Sequence, residues 1–357
     1  MFYPTIHVCG VLAQPNYKFG APSLQQIHYL EAPEESKAVS AALLATLKTR
    51  GVAKLKNHGL PAELIAEMFD YTKKFFALPL EDKMIAKHPP ESTPNRGYSY
   101  VGQESVGSIS GYEKGVSEGK QVRDIKYANG TKQETIDIGS AHDDLVDNIW
   151  VPEEKVPGFR KFMEGFYESA FKVELEILAA LAIALGIPED EMKMLHSKGE
   201  NEFRLLHYPA IPASELSDGT ATRIADHTDF GTITMLFQDS VGGLQVEDQQ
   251  NLGTFRGVES ADKSEIILNI GDSLQRLTND TFRAAVHRVT YPPTVKVGSE
   301  EIIPERFSIA YFAKPNRTAS LFPFNKFITP ATPCHYEDIT AWEYNNLRIT
   351  KLFSGKA

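Results

Sequence analysis

The chain has 357 residues, 42% of them apolar and 24% charged, a globular composition that excludes disorder over most of its length. The formal net charge is −10, and no run of Lys and Arg is long enough to form a basic patch, so nucleic acid is not an expected partner. The longest apolar run, from Leu178 to Ile187, is too short to span a bilayer.

Hydrophobic periodicity predicts long helices in the first half of the chain. Residues 34–50 carry Ala and Leu at helical spacing and stop at Gly51. A short strand, VAKLKN, follows, and Pro61 then opens a second amphipathic helix. The apolar period from Gly158 to Leu185 predicts the main helix of the domain.

The segment from His88 to Asn129 is rich in Gly, Ser and Tyr and shows no sustained period. Long irregular segments inside compact domains are often lids or binding loops. We expect its part from Arg96 to Tyr112 to line or cover a substrate pocket, with Arg96, Tyr98 and Tyr100 as substrate contacts. The alternative is that these side chains lie on a solvent-exposed loop.

After about residue 200, short β-rich runs bounded by Gly, Asn, Asp or Pro replace the helical pattern. The runs are EFRLLHYP, TRIADHTD, TITMLFQD, GGLQVED, TFRGVES, EIILNIGD, AAVHRVTY and RFSIAYFA. Consecutive strands at this spacing indicate a sandwich or a jelly roll. We predict a β-rich α+β fold: a double-stranded β-helix (jelly roll) core at 199–318, a mainly helical N-terminal region at 1–198 wrapped around it, and a C-terminal helical segment at 319–357 packed on the core.

The cysteines and the N-terminal residues indicate the compartment. Cys9 and Cys334 are too few for a disulfide scaffold, and neither forms a C-x-x-C pair. The sequence MFYPTIHVCG has no basic segment before an apolar core, so we expect no signal peptide. We therefore expect a cytoplasmic protein without a membrane partner, and the sequence leaves its oligomeric state open.

Three histidines are followed two residues later by an acid: His142/Asp144, His227/Asp229 and His335/Glu337. His142 and His335 lie in polar stretches typical of a solvated loop and an exposed turn, so we expect no metal there. His227 lies in a strand-like run, and alternate residues of a strand face one side, so Asp229 is expected to share its cavity. His287 lies in another strand-like run, where a buried core histidine is the alternative to a metal ligand.

Arg306 and Ser308 occupy alternate positions of a further apolar strand-like run. A guanidinium grips a carboxylate with two parallel hydrogen bonds, and a serine hydroxyl adds one more donor. Because a buried arginine is costly without an anionic partner, an acid must face it. That acid is either a ligand or one of the chain's own carboxylates.

Taken together, the motifs are H-x-D, a distant His, and R-x-S, on three β-rich runs in this order. Two histidines and one carboxylate form the facial triad of non-haem Fe(II) oxygenases, which leaves three metal positions open. A 2-oxo acid can fill two of these positions and dioxygen the third. The Arg/Ser pair would then hold the far carboxylate of 2-oxoglutarate.

Over most of its length the chain resembles the Fe(II)/2-oxoglutarate-dependent dioxygenases of the isopenicillin N synthase-like class. GVAKLKNHGLP resembles the N-terminal block of that family, and RLLHYP, HTDFGTITMLFQD, GGLQV, NIGDSLQRLTND, HRV and RFSIAYFAKPN match its core blocks in order. KQETIDIG and NIWVP resemble fungal-type members. The resemblance implies the iron ligands His227, Asp229 and His287 and the 2-oxoglutarate contacts Arg306, Ser308 and Tyr208.

The resemblance also implies an activity, with one departure. The expected enzyme uses Fe(II) and O₂ and decarboxylates 2-oxoglutarate to succinate. It couples this step to the oxidation of a small organic substrate in secondary metabolism, and hydroxylation is the default outcome. Many members carry Asn two residues before Tyr208, where this chain has Leu206, so one cosubstrate hydrogen bond is missing.

Two alternatives stay open. One is an iron-dependent oxidative cyclase that uses no 2-oxoglutarate, because isopenicillin N synthase itself keeps the R-x-S motif. The other is a non-catalytic jelly-roll module that binds structural Zn(II) at the same three residues. Structural zinc normally has four protein ligands, and no fourth stands out in the sequence.

Overall fold

The computed structural model describes residues 5–7, 33–90, 95–103, 132–216, 223–296 and 298–353. The helices are α1 (Pro33–Arg50), α2 (Ala62–Phe76), α3 (Leu80–Lys83), α4 (Phe159–Leu185), α5 (Glu189–Leu195), α6 (Asp272–Leu277) and α7 (Ala341–Phe353). The strands are β1 (Thr5–His7), β2 (Val52–Lys56), β3 (Gly97–Ser99), β4 (Glu134–Gly139), β5 (Glu202–Tyr208), β6 (Ile211–Pro212), β7 (Ile224–His227), β8 (Ile233–Gln238), β9 (Leu244–Glu247), β10 (Phe255–Gly257), β11 (Ile266–Ile270), β12 (His287–Val289), β13 (Ile302–Ile303) and β14 (Arg306–Ala313). Short 3-10 turns lie at Met84–Ala86, Ala213–Leu216 and Asn325–Phe327.

Two mainly antiparallel sheets form the centre of the protein. The larger has the strand order β1-β2-β11-β8-β14-β5-β4-β3, and the smaller has the order β10-β9-β12-β7. An apolar cluster joins the two sheets, with Leu206 and Ala310 from the larger and Leu244 and Val289 from the smaller. These facing sheets confirm the predicted β-rich α+β fold with a jelly-roll core.

Alternate side chains of strand β14 point to the two faces of the larger sheet. Successive side chains of a strand point to opposite sides. Phe307, Ile309 and Tyr311 pack into the core that the sheet shares with α1, α2 and α4. Arg306 and Ser308 face the smaller sheet and line a cavity between the two. The strand therefore anchors the site residues through the apolar residues between them.

The predicted helices of the N-terminal half are confirmed. α1 ends where Gly51, at φ +70°, donates its N–H to the carbonyl of Leu47 at 2.8 Å, which closes the helix as the sequence indicated. The predicted strand VAKLKN is β2, which pairs with both β1 and β11. The N-terminal region thus also contributes strands to the larger sheet, and the boundaries at residues 198 and 318 stay predictions.

The irregular segment predicted as a lid is described only in part. Residues 88–90 and 95–103 are described, and β3 lies among them. Residues 91–94 and 104–129 of the predicted lid lie outside the described residues. Among the helices described, none combines the length and the apolar character needed to cross a membrane.

Candidate active site

His227, Asp229 and His287 come together on the smaller sheet. His227 is the last residue of β7 and lies directly opposite His287, the first residue of β12. Their ring centres are 4.1 Å apart. Asp229 lies in the turn after β7, not on the strand as its spacing from His227 predicted. The turn, together with the pairing of β7 and β12, brings the three side chains together.

The three side chains have the spacing of metal ligands. Nε2 of His227 is 3.9 Å from Oδ1 of Asp229, and Nε2 of His287 is 3.7 Å from the same oxygen. One ligand atom from each residue lies within 4.8 Å of the others. Across the described ranges, no other group of three or more His, Cys, Asp and Glu side chains meets this criterion.

Backbone carbonyls orient both imidazoles. Nδ1 of His227 donates to the carbonyl of Ala225 at 2.8 Å, and Nδ1 of His287 donates to the carbonyl of Ala285 at 2.9 Å. With the proton on Nδ1, each Nε2 keeps its lone pair for a metal. Burial and the neighbouring His287 lower the pKa of His227 to about 3, so its ring is neutral at physiological pH.

Asp229 is held as an ionised carboxylate with one oxygen toward the histidines. Its other oxygen, Oδ2, accepts hydrogen bonds from Thr234 Oγ1 at 2.6 Å and Asn269 Nδ2 at 2.7 Å. Burial acts to raise the pKa of Asp229, but the two histidines and these hydrogen bonds outweigh it and hold the pKa below its usual value. Two imidazoles that point Nε2 toward one oriented carboxylate are the donor set of a facial Fe(II) site, so the residues present fit the metal.

Helices α6 and α7 brace the turn that carries Asp229. The backbone N–H of Asp272 donates to the carbonyl of Asp229 at 2.8 Å. Nη1 of Arg348 lies 3.2 Å from the Asp272 carboxylate, and its Nη2 donates to Thr228 Oγ1 at 3.2 Å. Because Thr228 separates His227 from Asp229 in the chain, these contacts fix the backbone between two of the three ligands.

Arg306 lies fully buried in the same cavity. Its Nη1 donates to Ser308 Oγ at 2.9 Å and its Nη2 to Gln238 Oε1 at 2.8 Å, while Nε has no hydrogen-bond partner. The guanidinium lies 4.8 Å from the centre of the Tyr208 ring. No carboxylate of the described chain forms an ion pair with Arg306, so the alternative of a structural ion pair finds no support. No sequence motif pointed to Gln238, although its alternate position with Thr234 on β8 was a usable signal.

The cavity has a second polar end. Glu202, Arg204, Leu206 and Tyr208 share one face of β5 and all line it. Tyr208 pairs in register with Arg306, so Glu202 lies about 20 Å farther along the strand. The two charged residues were missed at the sequence level, but the alternation that starts from Tyr208 identifies them.

Charges of both signs are paired at this second end. Arg204 forms two hydrogen bonds with Asp137, at 2.7 and 2.9 Å. Lys314 donates to Glu202 at 2.6 Å, and Asn95 also donates to Glu202. Burial acts to raise the pKa of Glu202, but the surrounding cations, Lys314 first, lower it to about 2. This end therefore presents fixed positive and negative charges to the cavity.

The three predicted substrate contacts lie outside the main cavity. Arg96 binds Asp143 at 3.0 Å and lines an adjoining cavity that shares Asn95, Glu202 and Lys314 with the first. Tyr98 is buried in the core with its hydroxyl on Glu134, and Tyr100 is 42% exposed. The structure thus brings Arg96 near the site and does not bring Tyr98 or Tyr100 to it.

The other two His-x-acid pairs lie away from the triad. His142 lies in a turn on the surface, as its polar surroundings indicated. His335 lies 3.1 Å from Asp280, and both side chains are about 40% exposed. Neither histidine belongs to a metal-spaced group in the part of the chain that the structure describes.

Two family models match the chain. Residues 23–153 match the N-terminal model described as non-haem dioxygenase in morphine synthesis. Residues 200–315 match the model of the 2OG-Fe(II) oxygenase superfamily. The second match spans the triad, Arg306 and both ends of the cavity.

Relatives of known name are similar over nearly the whole chain. "Proline hydroxylase buaE" of Petromyces alliaceus is 43% identical over 324 residues, which cover 90% of this chain and 96% of that protein. "2-oxoglutarate-dependent dioxygenase frbA" of Dothideomycetidae sp. (strain 11243) is 44% identical over 323 residues, which cover 90% and 94%. Among solved structures, full-length Neurospora crassa T7H in complex with alpha-KG and thymine has a TM-score of 0.76 and 30% identity, covering 89% of this chain and 92% of that one.

Proposed function

This chain belongs to the 2OG-Fe(II) oxygenase superfamily, and on that premise we propose which residues form its active site and what it oxidises. It is a 2-oxoglutarate-dependent dioxygenase, which requires Fe(II), 2-oxoglutarate and O₂. It couples decarboxylation of 2-oxoglutarate to succinate with oxidation of a second substrate. The proposed iron ligands are His227, Asp229 and His287, and the proposed cosubstrate residues are Arg306, Ser308 and Tyr208.

One observation carries this assignment: the guanidinium of Arg306 is buried in the same cavity as the triad and forms no ion pair with a carboxylate of the described residues. A buried arginine without a carboxylate partner is costly, so the cavity is complete only with an anionic ligand. The distal carboxylate of 2-oxoglutarate supplies that anion. Leu206 contributes no hydrogen bond there, and Gln238 holds Nη2 of Arg306 in place.

When bound, Fe(II) together with 2-oxoglutarate and dioxygen supplies the oxidising chemistry. The protein binds and orients the reactants. Arg306 and Ser308 fix one end of the cosubstrate, and the carbonyls of Ala225 and Ala285 keep the imidazoles in the ligating tautomer. Apolar side chains that line the cavity exclude water from the reacting atoms: Leu236, Leu244, Phe230 and Phe312.

The substrate class follows from the second end of the cavity. Glu202 and Lys314 place a carboxylate and an ammonium side by side there, and Arg204 adds a second cation. A small zwitterion matches this wall because its carboxylate meets the cations and its ammonium meets Glu202. We therefore propose hydroxylation of a free amino acid, and the name of the P. alliaceus relative makes L-proline the first candidate.

Succinate and hydroxylated product, counted in one reaction, test the proposed activity. With L-proline, 2-oxoglutarate and Fe(II), we expect one succinate for each hydroxyproline. N-acetylproline, which lacks the ammonium, and thymine, which carries neither charge, should stimulate succinate formation at least tenfold less. Equal stimulation by thymine would contradict the zwitterion assignment. Product formed without 2-oxoglutarate would instead support the oxidative cyclase.

Variants test the residues. His227→Ala should abolish turnover and tight Fe(II) binding, because two protein ligands remain, while the fold persists. His142→Ala, a surface histidine in the same kind of motif, should leave both unchanged. Arg204→Lys and Glu202→Gln should raise the KM for proline and leave 2-oxoglutarate affinity unchanged. Near-normal activity of the His227 variant would remove that residue from the site.

We also propose the metabolic role and the cellular compartment of the enzyme. The morphine-synthesis description of the N-terminal family model supports a role in secondary metabolism. The net charge of −10 and the two cysteines support a cytoplasmic enzyme that acts on a small molecule and not on nucleic acid or a membrane.

A further inference from the structure

A second buried arginine lies beside the cosubstrate end of the cavity. Arg223 immediately precedes β7 and is fully buried. Its Nη2 donates to the carbonyl of Pro304 at 2.7 Å and to that of Pro209 at 3.2 Å. Pro209 follows β5 and Pro304 precedes β14, so Arg223 bridges these two strands where Tyr208 pairs with Arg306.

Most of the hydrogen-bonding capacity of Arg223 is unused. Nε and Nη1 are buried and have no hydrogen-bond partner among the described residues. The bridge between the two carbonyls uses Nη2 alone. A neutral amide could make such a bridge, so the bridge does not explain why the residue carries a charge.

The charge of Arg223 is unfavourable without an anion nearby. Its guanidinium lies 5.8 Å from the centre of the Tyr208 ring, and that of Arg306 lies 4.8 Å from the same point. Burial, and then repulsion by Arg306, lower the pKa of Arg223 to about 10. Asp239 acts on the pKa of Arg223 in the opposite direction, but its two oxygens accept the backbone N–H groups of Val241 and Phe307 and form no ion pair with either arginine.

We propose that Arg223 is a second cation of the cosubstrate site, which acts with Arg306 on the distal carboxylate of 2-oxoglutarate and selects a dicarboxylate over a monocarboxylate. The proposal rests on the cosubstrate site assigned above. Arg306 contacts the carboxylate, and Arg223 acts through space as a positioning residue next to the Tyr208 ring. The bound carboxylate relieves the repulsion between the two guanidinium groups, so removing either charge weakens binding of the dicarboxylate specifically.

Titration calorimetry on the Mn(II)-loaded protein under anaerobic conditions tests this proposal, with 2-oxoglutarate and 2-oxobutanoate as ligands. The two ligands share the metal-binding end, and only 2-oxoglutarate has the distal carboxylate. Arg223→Gln keeps an amide donor for the carbonyl bridge and loses the charge. We expect about tenfold weaker 2-oxoglutarate binding and unchanged 2-oxobutanoate binding, whereas Arg223→Lys should recover most of the loss.

Two further variants separate the possible outcomes. Arg276→Gln removes another buried arginine whose Nη2 donates to a carbonyl and whose guanidinium lies over aromatic rings, so it should leave the affinity ratio of the two ligands unchanged. Arg306→Leu should weaken 2-oxoglutarate binding about thirtyfold or more. If it does not, the assigned cosubstrate site itself is wrong.

If Arg306→Leu weakens binding but Arg223→Gln leaves the affinity ratio unchanged, the role of Arg223 is overturned and the site stands. Equal loss of both ligands in Arg223→Gln, or failure of Arg223→Lys to recover binding, would show that Arg223 only holds the two strands together.

Discussion

Replacing Thr234 with valine tests whether the hydrogen bonds to Asp229 set the affinity of the iron site. Thr234 and Asn269 both donate to Oδ2 of Asp229, at 2.6 and 2.7 Å. Both donors are buried, so valine leaves a desolvated carboxylate with one donor fewer. A hydrogen bond to a charged group contributes about 1.5–3 kcal/mol. Loss of a partner that orients a metal ligand typically costs about 10- to 100-fold in metal affinity, which is the same range.

Anaerobic titration of the metal-free protein with Fe(II), in competition with a chromogenic chelator, measures this change. We expect the Kd for Fe(II) to rise about 10- to 100-fold in Thr234→Val. Thr234→Ser keeps the hydroxyl and should bind iron nearly as tightly as the unchanged protein. Thr278→Val removes an equally buried hydroxyl that donates to the carbonyl of Leu274 in α6, and it should leave iron affinity unchanged.

Equal iron affinity in Thr234→Val and Thr234→Ser would refute the reasoning. It would mean that Asn269 alone orients the carboxylate, or that Asp229 does not bind the metal through Oδ1.

Three further variants test other parts of the structure. Leu206→Asn introduces the amide that many family members carry at this position. It should tighten 2-oxoglutarate binding by roughly two- to twelvefold in calorimetry, which corresponds to the free energy of one hydrogen bond. Weaker binding would show that the pocket is shaped for leucine. Burial lowers the pKa of His196 to about 4, so the folded protein holds this ring neutral. The free energy of unfolding should therefore fall by up to about 3 kcal/mol as the pH drops from 6.5 toward 4. His196→Gln should reduce this pH dependence, and an unchanged slope would contradict the reasoning. In Gly231→Ala, the new Cβ would lie 2.3 Å from a backbone carbonyl, so we expect a lower Tm by calorimetric scanning, and an unchanged Tm would show that the turn yields freely.

The sequence predicted the elements of the fold because their signals are local. The period of α4 and the glycine after α1 depend on neighbours within a few residues, and both are as predicted. The eight strand-like runs each contain a strand for the same reason. The residue types of the triad were also recognisable, because few donor sets bind Fe(II) and their order along the chain is characteristic.

Long-range pairing decided where those residues meet. The sequence placed Asp229 on a strand with His227, but β7 ends at His227 and a turn braced by α6 carries the carboxylate. Tyr98 was expected at the substrate, yet β3 pairs with β4 and holds it in the core against Phe75. Neither outcome follows from spacing, because strand ends and strand partners depend on residues far away in the chain.

The electrostatics of the cavity depended on tertiary structure most of all. Nothing in the local sequence of Arg204 indicates Asp137, which lies on the neighbouring strand β4 and takes up two of its donors. Likewise, the sequence around Arg223 does not indicate that this residue is buried near Arg306. Its burial arises only when the ends of β5 and β14 come together around it. The sequence by itself determined the secondary structure and the donor types, since these are properties of single residues and short periods. Only the packed sheets decided which charges are buried together, because burial and distance arise from contacts across the whole chain.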